Sequence, residues 1–449
     1  MGNIINKLFQ IISKKTGFDI IGVKKYSANF SYLIGEYIFS LMSSLIVGIA
    51  VARYLGPESY GIINFAISVY AICIVITTLG IDDIIYKDMV ENSTNRGFIE
   101  GTALFLKIIV SLIVYAIVCI YGYFSFTGEK LQVLLIINFA VLFQPFSVFS
   151  FVFLSLAEGK YTSISRIISY SASSIFKIIL IIIGADIKYF AFAVFLDYFL
   201  LFFVVAFIYK YKGYSKIKLQ IDYDYLKSLI KKAPVLFLNV LFFTSFLKFN
   251  TIYISYIYGD FHAGIYNAAL RLTEAFYLIP AVILTAFFPA VIKAKSLGEE
   301  EYIRRISIFL SAFTLPFILI SLFVTLFSPF IIHLLYGEKY ELSYIVLAVT
   351  IWSVPLIFFS TVTSKYFIIE NKVSQIFYRS FLSFILLILF NKVFTNLYGI
   401  FGAGLAFSLS AFISFYLVDI FFKESRRLFL IKTKSIFFPF TYIIKLLKK

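Results

Sequence analysis

Four basic side chains, Lys107, Lys177, Lys248 and Arg271, interrupt stretches of sequence that are otherwise apolar. A charge at the centre of a membrane helix costs about 2.5–3.5 kcal/mol on insertion scales, so such residues face a wet cavity or a partner. Cations along a buried path suit an anionic group in transit. Lys248 has no acid within one turn on its own helix, which makes it a candidate anion contact; the competing reading is snorkelling toward an interface. Asn267, Arg271 and Glu274 follow at spacings of four and three and share one helical face. Arg271 therefore either meets an anion or is neutralised locally by Glu274.

Asn29, Glu36, Ser40 and Ser43 also share a face, at spacings of seven, four and three. Glu36 is the candidate carboxylate for a proton, an ion or the hydroxyls of a polar ligand; a packing salt bridge gives the same pattern. Arg166, Tyr170, Ser173 and Lys177 form a further stripe, with Lys177 the deeper cation. Arg53, at the outer end of its helix, either guides an anion or anchors the turn beside Glu58. Asp197 and Asp419 are weaker candidates, and Asp82 and Asp83 are expected to cap or gate a helix end.

Other chemistries lack their residues. Gly159-Lys160 is followed by Tyr161 and has no upstream glycine at phosphate-loop spacing, so direct use of ATP is not expected. His262 and His333 are the only histidines, so no histidine-based catalytic or metal cluster is expected. Cys73 and Cys119 both lie in apolar segments, away from any disulfide or metal pattern. The chain is therefore expected to be neither an enzyme nor a cofactor protein.

The elements that would position these side chains are transmembrane helices. Of 449 residues, 61% are hydrophobic and 14% charged, against about 25% charged in soluble domains. A bilayer core takes about 20 apolar residues per helix. Twelve such spans are predicted, at 28–52, 59–81, 101–124, 131–156, 163–184, 188–209, 234–257, 263–291, 306–332, 341–364, 373–394 and 399–422. Of the 40 Lys and Arg, 31 fall in or at the ends of segments that are cytoplasmic if the N-terminus is inside. Arg53, Lys130, Lys188, Lys339 and Lys392 lie in five external loops, one in each. That alternation follows the positive-inside rule and accounts for the net charge of +16 without nucleic acid. Residues 1–27 read as a cytoplasmic amphipathic segment with no cleavable signal, and Asn92-Ser-Thr94 as cytoplasmic. Helices 1–6 occupy 28–209 and helices 7–12 occupy 234–422, joined by a basic hinge loop at 210–233. The basic tail 423–449, with an apolar patch at Ile436 to Leu447, is expected to lie on the anionic inner leaflet.

The halves resemble each other. Gly56, Gly61, Ile62, Asn64 and Ala66 match Gly259, Gly264, Ile265, Asn267 and Ala269 at a constant offset of 203. Glu158-Gly-Lys160 also lines up with Glu370-Asn-Lys372. Six helices per half make this a parallel repeat, an arrangement in which substrate binds between halves that rock.

Arg53-Tyr-Leu-Gly-Pro-Glu-Ser-Tyr-Gly61 resembles the turn after the first helix of Wzx-type polysaccharide flippases, in the multidrug/oligosaccharidyl-lipid/polysaccharide exporter superfamily. Leu79-Gly-Ile-Asp82, Gly264-Ile-Tyr-Asn-Ala-Ala-Leu-Arg-Leu272 with Pro280 and Pro289, Tyr336-Gly-Glu-Lys-Tyr340 and Gly399-Ile-Phe-Gly-Ala-Gly404 extend the resemblance over nearly the whole chain. It implies a V-shaped, two-lobe, all-α fold in a bacterial inner membrane, with both termini cytoplasmic. The implied activity is moving an undecaprenyl-pyrophosphate-linked oligosaccharide, such as an O-antigen unit, to the periplasmic leaflet, with Arg271 toward the pyrophosphate. Implied partners are membrane lipids, a coupling H+ or Na+, a polysaccharide polymerase and a chain-length regulator. The family commonly carries an acid late in its seventh helix where this sequence has Asn250, which puts ion coupling there in doubt. A drug/cation antiporter of the same fold, or a membrane glycan polymerase or acyltransferase, are the alternatives.

Overall fold

The computed structural model describes residues 20–92, 96–214 and 219–437. The expectations for most of residues 1–27, for Ser93-Thr94 and for the tail beyond Phe437 lie outside them. No strand occurs among the described residues. Lipid offers the backbone no hydrogen-bond partner, so helices satisfy it internally.

Helix α1 (Ile20–Thr78) holds two crossings, because Gly56 (φ 74°, ψ 171°) breaks it. Pro57 restarts the helix, where its missing N–H is no loss. After α2 (Asp82–Glu91) come α3 (Arg96–Ser125), α4 (Gly128–Asn138) and α5 (Val148–Ser155), the last two joined by a 3-10 segment at Phe139–Ser147. Helices α6 (Lys160–Ile182) and α7 (Ile187–Tyr211) follow. Next are α8 (Tyr223–Ile257), α9 (Asp260–Ser296) and α10 (Glu299–Tyr336). The broken pair α11 (Ser343–Thr350) and α12 (Ser353–Ile369) precedes α13 (Val373–Phe390). A π turn at Asn391–Thr395 leads to α14 (Asn396–Phe415), which bends at Gly399. Helix α15 (Arg426–Phe437) ends the described chain.

Nine stretches of the described residues are long and apolar enough to cross a membrane; two of them, Gly35–Thr78 and Val373–Ile420, have 44 and 48 residues, enough for two crossings each. With the 37-residue α9, the helices supply the twelve predicted crossings. Ile117, Ile120, Phe124, Ile182, Phe207, Leu326 and Phe330 are exposed, an apolar surface that water would penalise and lipid accepts.

The chain divides into two compact units, residues 1–47 with 76–234 and residues 48–75 with 235–449. In the first, Ile85, Val152, Phe153, Val205, Leu229 and Ala233 belong to one buried cluster. The second half of the basic loop is fastened to this unit. Gln220 N donates to Gly97 O at 3.2 Å, Asp222 N to Thr102 Oγ1 at 2.9 Å and Tyr225 Oη to Asp88 Oδ2 at 2.8 Å. The chain leaves the unit at Pro234, inside α8.

The second unit has a larger core, with Phe246 stacked on Phe407 at 4.7 Å. The α11–α12 break interrupts the regular helix bonds; Trp352 N and Val354 N reach back three residues to Val349 O and Ile351 O, and hydroxyls from neighbouring helices add to the carbonyls there. Thr325 Oγ1 donates to Ala348 O at 3.1 Å, Ser408 Oγ to Val349 O at 2.9 Å and Ser321 Oγ to Ile351 O at 3.1 Å.

The repeat appears in the backbone. Gly259 (φ 85°, ψ 169°) repeats the conformation of Gly56. The fourth crossing of each half is interrupted. The second sequence match shifts by two residues, however. Each of these crossings ends with a left-handed residue, Ala157 (φ 54°) and Asn371 (φ 55°). The following N–H, from Glu158 or Lys372, reaches back to Phe153 O or Phe367 O, the helix-ending pattern of a Schellman motif. Glu158 thus corresponds to Lys372, not to Glu370.

Candidate functional site

The second unit holds Arg271, Lys248, Glu274, Arg53, Asn64 and Asn267. On α9, Arg271 lays its guanidinium over Gly48, whose missing side chain makes the room: a Cβ there would stand 2.7 Å from Nε and Nη2. Glu274, one turn on, is taken by Lys248 of α8 at 2.6 Å. Lys248, which has no acid within one turn on its own helix, thus finds one on the neighbouring helix, with its side chain 23% exposed. Arg53 donates from Nη2 to Leu334 O at 3.1 Å, capping the last turn of α10. Beside it Tyr340 Oη donates to Ala52 O at 2.7 Å.

Asn64 and Asn267 do the same thing in each repeat. Each donates its side-chain amide to the carbonyl four residues back, Tyr60 O or Ala263 O, at 2.7 Å. Asn267 also accepts from Thr251 Oγ1 at 3.0 Å. The two amide bonds are local to the helix, while the Thr251 bond ties Asn267 to α8. Asn250 is buried in a neutral network. Its amide donates to Tyr266 Oη and Ala403 O, both at 2.8 Å, and its Oδ1 accepts from Asn391 Nδ2 at 2.8 Å.

The reciprocal glycines explain the repeat motif. A Cβ on Gly61 would run into Asp260 O, and one on Gly264 into Pro57 O. Asp260 is the repeat equivalent of Pro57, and Gly264 of Gly61, so the contact is pseudo-symmetric. Only glycine permits backbones this close.

The first unit holds Glu36, Arg166 and Lys177. Glu36 is buried, accepts from Ser40 Oγ at 3.1 Å and lies 3.9 Å from Arg166 Nη1. Arg166 is half-exposed. Lys177 stands 4.0 Å from Asp197, so these two candidates form one pair. Ser43 meets Ser174 at 2.9 Å, placing the α1 stripe against α6.

Three charged clusters escaped the sequence reading. Lys107, fully buried, pairs with Asp82 at 2.5 Å, so Asp82 is a counter-ion rather than only a cap. Arg96 pairs with Glu100, which also accepts from Tyr209 Oη at 2.6 Å. Asp419 sits between Arg379 and Lys432, each at 2.6 Å. Lys432 lies on α15, outside the crossing helices, and burial pulls its ammonium down to about 8. Leu428, Ile431, Lys432 and Ser435 are buried, so the first part of the tail docks on protein rather than lying free on the leaflet. Sequence spacing hid Lys107–Asp82 and the Asp419 cluster because they join different helices, whereas Arg96 and Glu100 stand one turn apart on α3.

Residues 27–295 match the family described as polysaccharide biosynthesis protein. The chain belongs to that family. No curated protein matches the sequence. The fold is similar to the lipid II flippase MurJ in an inward closed conformation, with TM-score 0.68, 14% identity and coverage of 93% of this chain and 95% of that one. It is also similar to an inward-facing multidrug resistance MATE transporter of the MOP superfamily, with TM-score 0.67, 14% identity, and 91% and 96% coverage. An outward-facing MATE transporter matches with TM-score 0.58, 13% identity, and 94% and 96% coverage. The chain therefore shares the fold of these transporters, and its long apolar helices make it a multi-pass membrane protein.

Proposed function

We propose that this member of the polysaccharide biosynthesis family is a flippase for undecaprenyl-pyrophosphate-linked oligosaccharide, carrying an O-antigen or other surface-polysaccharide unit from the cytoplasmic to the periplasmic leaflet. The observation that carries the reading is Arg271, a cation held mid-helix in a dedicated space beside Gly48, within a chain of this family. Its planar, permanently charged fork suits phosphate. In this reading Arg271 meets the pyrophosphate, Lys248 and Glu274 exchange partners with the head group, and Arg166, Lys177 and Arg53 are further proposed contacts for it. Alternating access moves the head group through the protein, in a bacterial inner membrane with both termini cytoplasmic. Glu36 is the proposed H+- or Na+-linked carboxylate, since Asn250 offers no charge. The polymerase and chain-length regulator would act on the product.

The test is Arg271→Ala in cells that depend on this protein for surface polysaccharide. Loss of polysaccharide with normal membrane abundance supports the role, and normal polysaccharide removes Arg271 from it. A drug/cation antiporter is the second reading. It would instead show cation efflux that survives Arg271→Ala and fails in Glu36→Gln.

A further inference from the structure

The α11–α12 break leaves a cavity of about 500 Å³ on the second unit, within the range of about 300–1,000 Å³ typical of ligand sites. Ile318 of α10 stands on one side, and Leu409 and Phe412 of α14 on the other. Trp352 and Phe359 lie between them, and Ile436 of α15 closes one end. The carbonyls of Ala348, Val349 and Ile351 at the break accept hydroxyls of Thr325, Ser408 and Ser321, and the last two also accept the N–H groups of Trp352 and Val354. The wall is consequently apolar despite its irregular backbone. A polar guest would find nothing to bond, whereas a hydrocarbon chain loses nothing by leaving lipid.

Charge narrows the occupant. Helix α15, which ends at the cavity, carries no acid and exposes three cations, Arg426, Arg427 and Lys434, of which Arg427 lies 3.5 Å from Glu299; its fourth, Lys432, is buried on Asp419. Arg426 is exposed and lies ten residues before Ile436, about 15 Å along a helix. Lys432 Nζ lies 5.4 Å from the ring of Phe359, which lines the cavity. An apolar slot beside a cationic helix matches an amphiphile with one long chain and an anionic head. Resting on the flippase reading, we propose that this groove seats part of the polyprenyl chain of the lipid substrate, with α15 as its basic flank.

The full-length protein in nanodiscs of phosphatidylcholine and phosphatidylglycerol is labelled with a diazirine-bearing polyprenyl diphosphate. In parallel it is labelled with a diazirine-bearing phosphatidylglycerol, and adducts are mapped by peptide mass spectrometry. Prenyl adducts should concentrate on α14 and α15 and fall about tenfold in Leu409→Trp, which fills the groove. Leu409→Met, nearly equal in volume, should retain them, which separates filling from misfolding. Prenyl adducts elsewhere on the protein, or equal labelling of the groove by phosphatidylglycerol, would overturn the groove and leave the flippase reading standing. Absence of prenyl adducts from the whole protein would overturn the flippase reading itself.

Discussion

The guanidinium of Arg271 fills the place of the side chain that Gly48 lacks, with two nitrogens 2.7 Å from that position. A larger residue at 48 must push the guanidinium aside while leaving its charge intact. Gly48→Ala should reduce polysaccharide export about a hundredfold, the scale of a 1 Å misplacement in a working site, with membrane abundance unchanged. Quantitative surface-polysaccharide blotting against protein level checks it. Full export would mean that the position of Arg271 is unimportant.

Gly61 and Gly264 meet main chain that cannot step aside. Gly61→Ala and Gly264→Ala should each cost at least about 1–3 kcal/mol from overpacking, and by similar amounts, because their environments are repeat equivalents. Gly35 has nothing within 4 Å of its would-be Cβ, so Gly35→Ala should be neutral or stabilising by about 0.5–1 kcal/mol. Thermal unfolding of the detergent-purified variants measures all three.

Lys248 and Glu274 separate stability from transport. Glu274→Gln should cost between the roughly 1 kcal/mol of an exposed ion pair and the 3–5 kcal/mol of a buried one, since both side chains are about a quarter exposed. Adding Lys248→Met should recover most of that loss. If export stays absent in the double variant while the melting temperature recovers, the pair serves transport. Recovery of both would make it a structural strut.

Lys432 gives a pH signature. Its folded value, about 8, lies below the ordinary lysine value near 10.4. Below pH 8 both folded and unfolded chains hold the proton, and burial of the charge weighs against folding. Between 8 and about 10.4 the unfolded chain holds more protons, so this group makes stability rise with pH. The slope is at most about 1.4 kcal/mol per unit. Lys432→Met should abolish that rise in unfolding measured from pH 7 to 10. Asp419→Asn, leaving two buried cations facing each other, should cost about 3–5 kcal/mol.

The sequence declared the crossings because long apolar runs have few alternatives in lipid, and loop charges fixed their parity. It declared the Gly56 and Gly259 turns because their positive φ leaves glycine as the low-cost choice. It did not declare which charge meets which. Glu274 stands one turn from Arg271 yet pairs with Lys248, 26 residues away, and Asp419 joins Arg379 and Lys432 from two other helices. Helical periodicity reports a face, not what stands opposite it. The α11–α12 break was equally hidden. Thr350-Ile351-Trp352 contains neither glycine nor proline, and the hydroxyls that make the break tolerable come from α10 and α14.

The crossed contact of Gly61 with Asp260, and of Gly264 with Pro57, also bears on descent. If the halves arose by duplication of one six-helix ancestor, the same surface would once have met its own copy in a two-fold dimer. Fusion would have turned that self-complementary patch into two separate turns, each policing the other. A side chain gained in either turn collides with the backbone of its twin, so both were held while the surrounding helices drifted apart. The offset of 203 would then be the remnant of an interface between formerly separate chains.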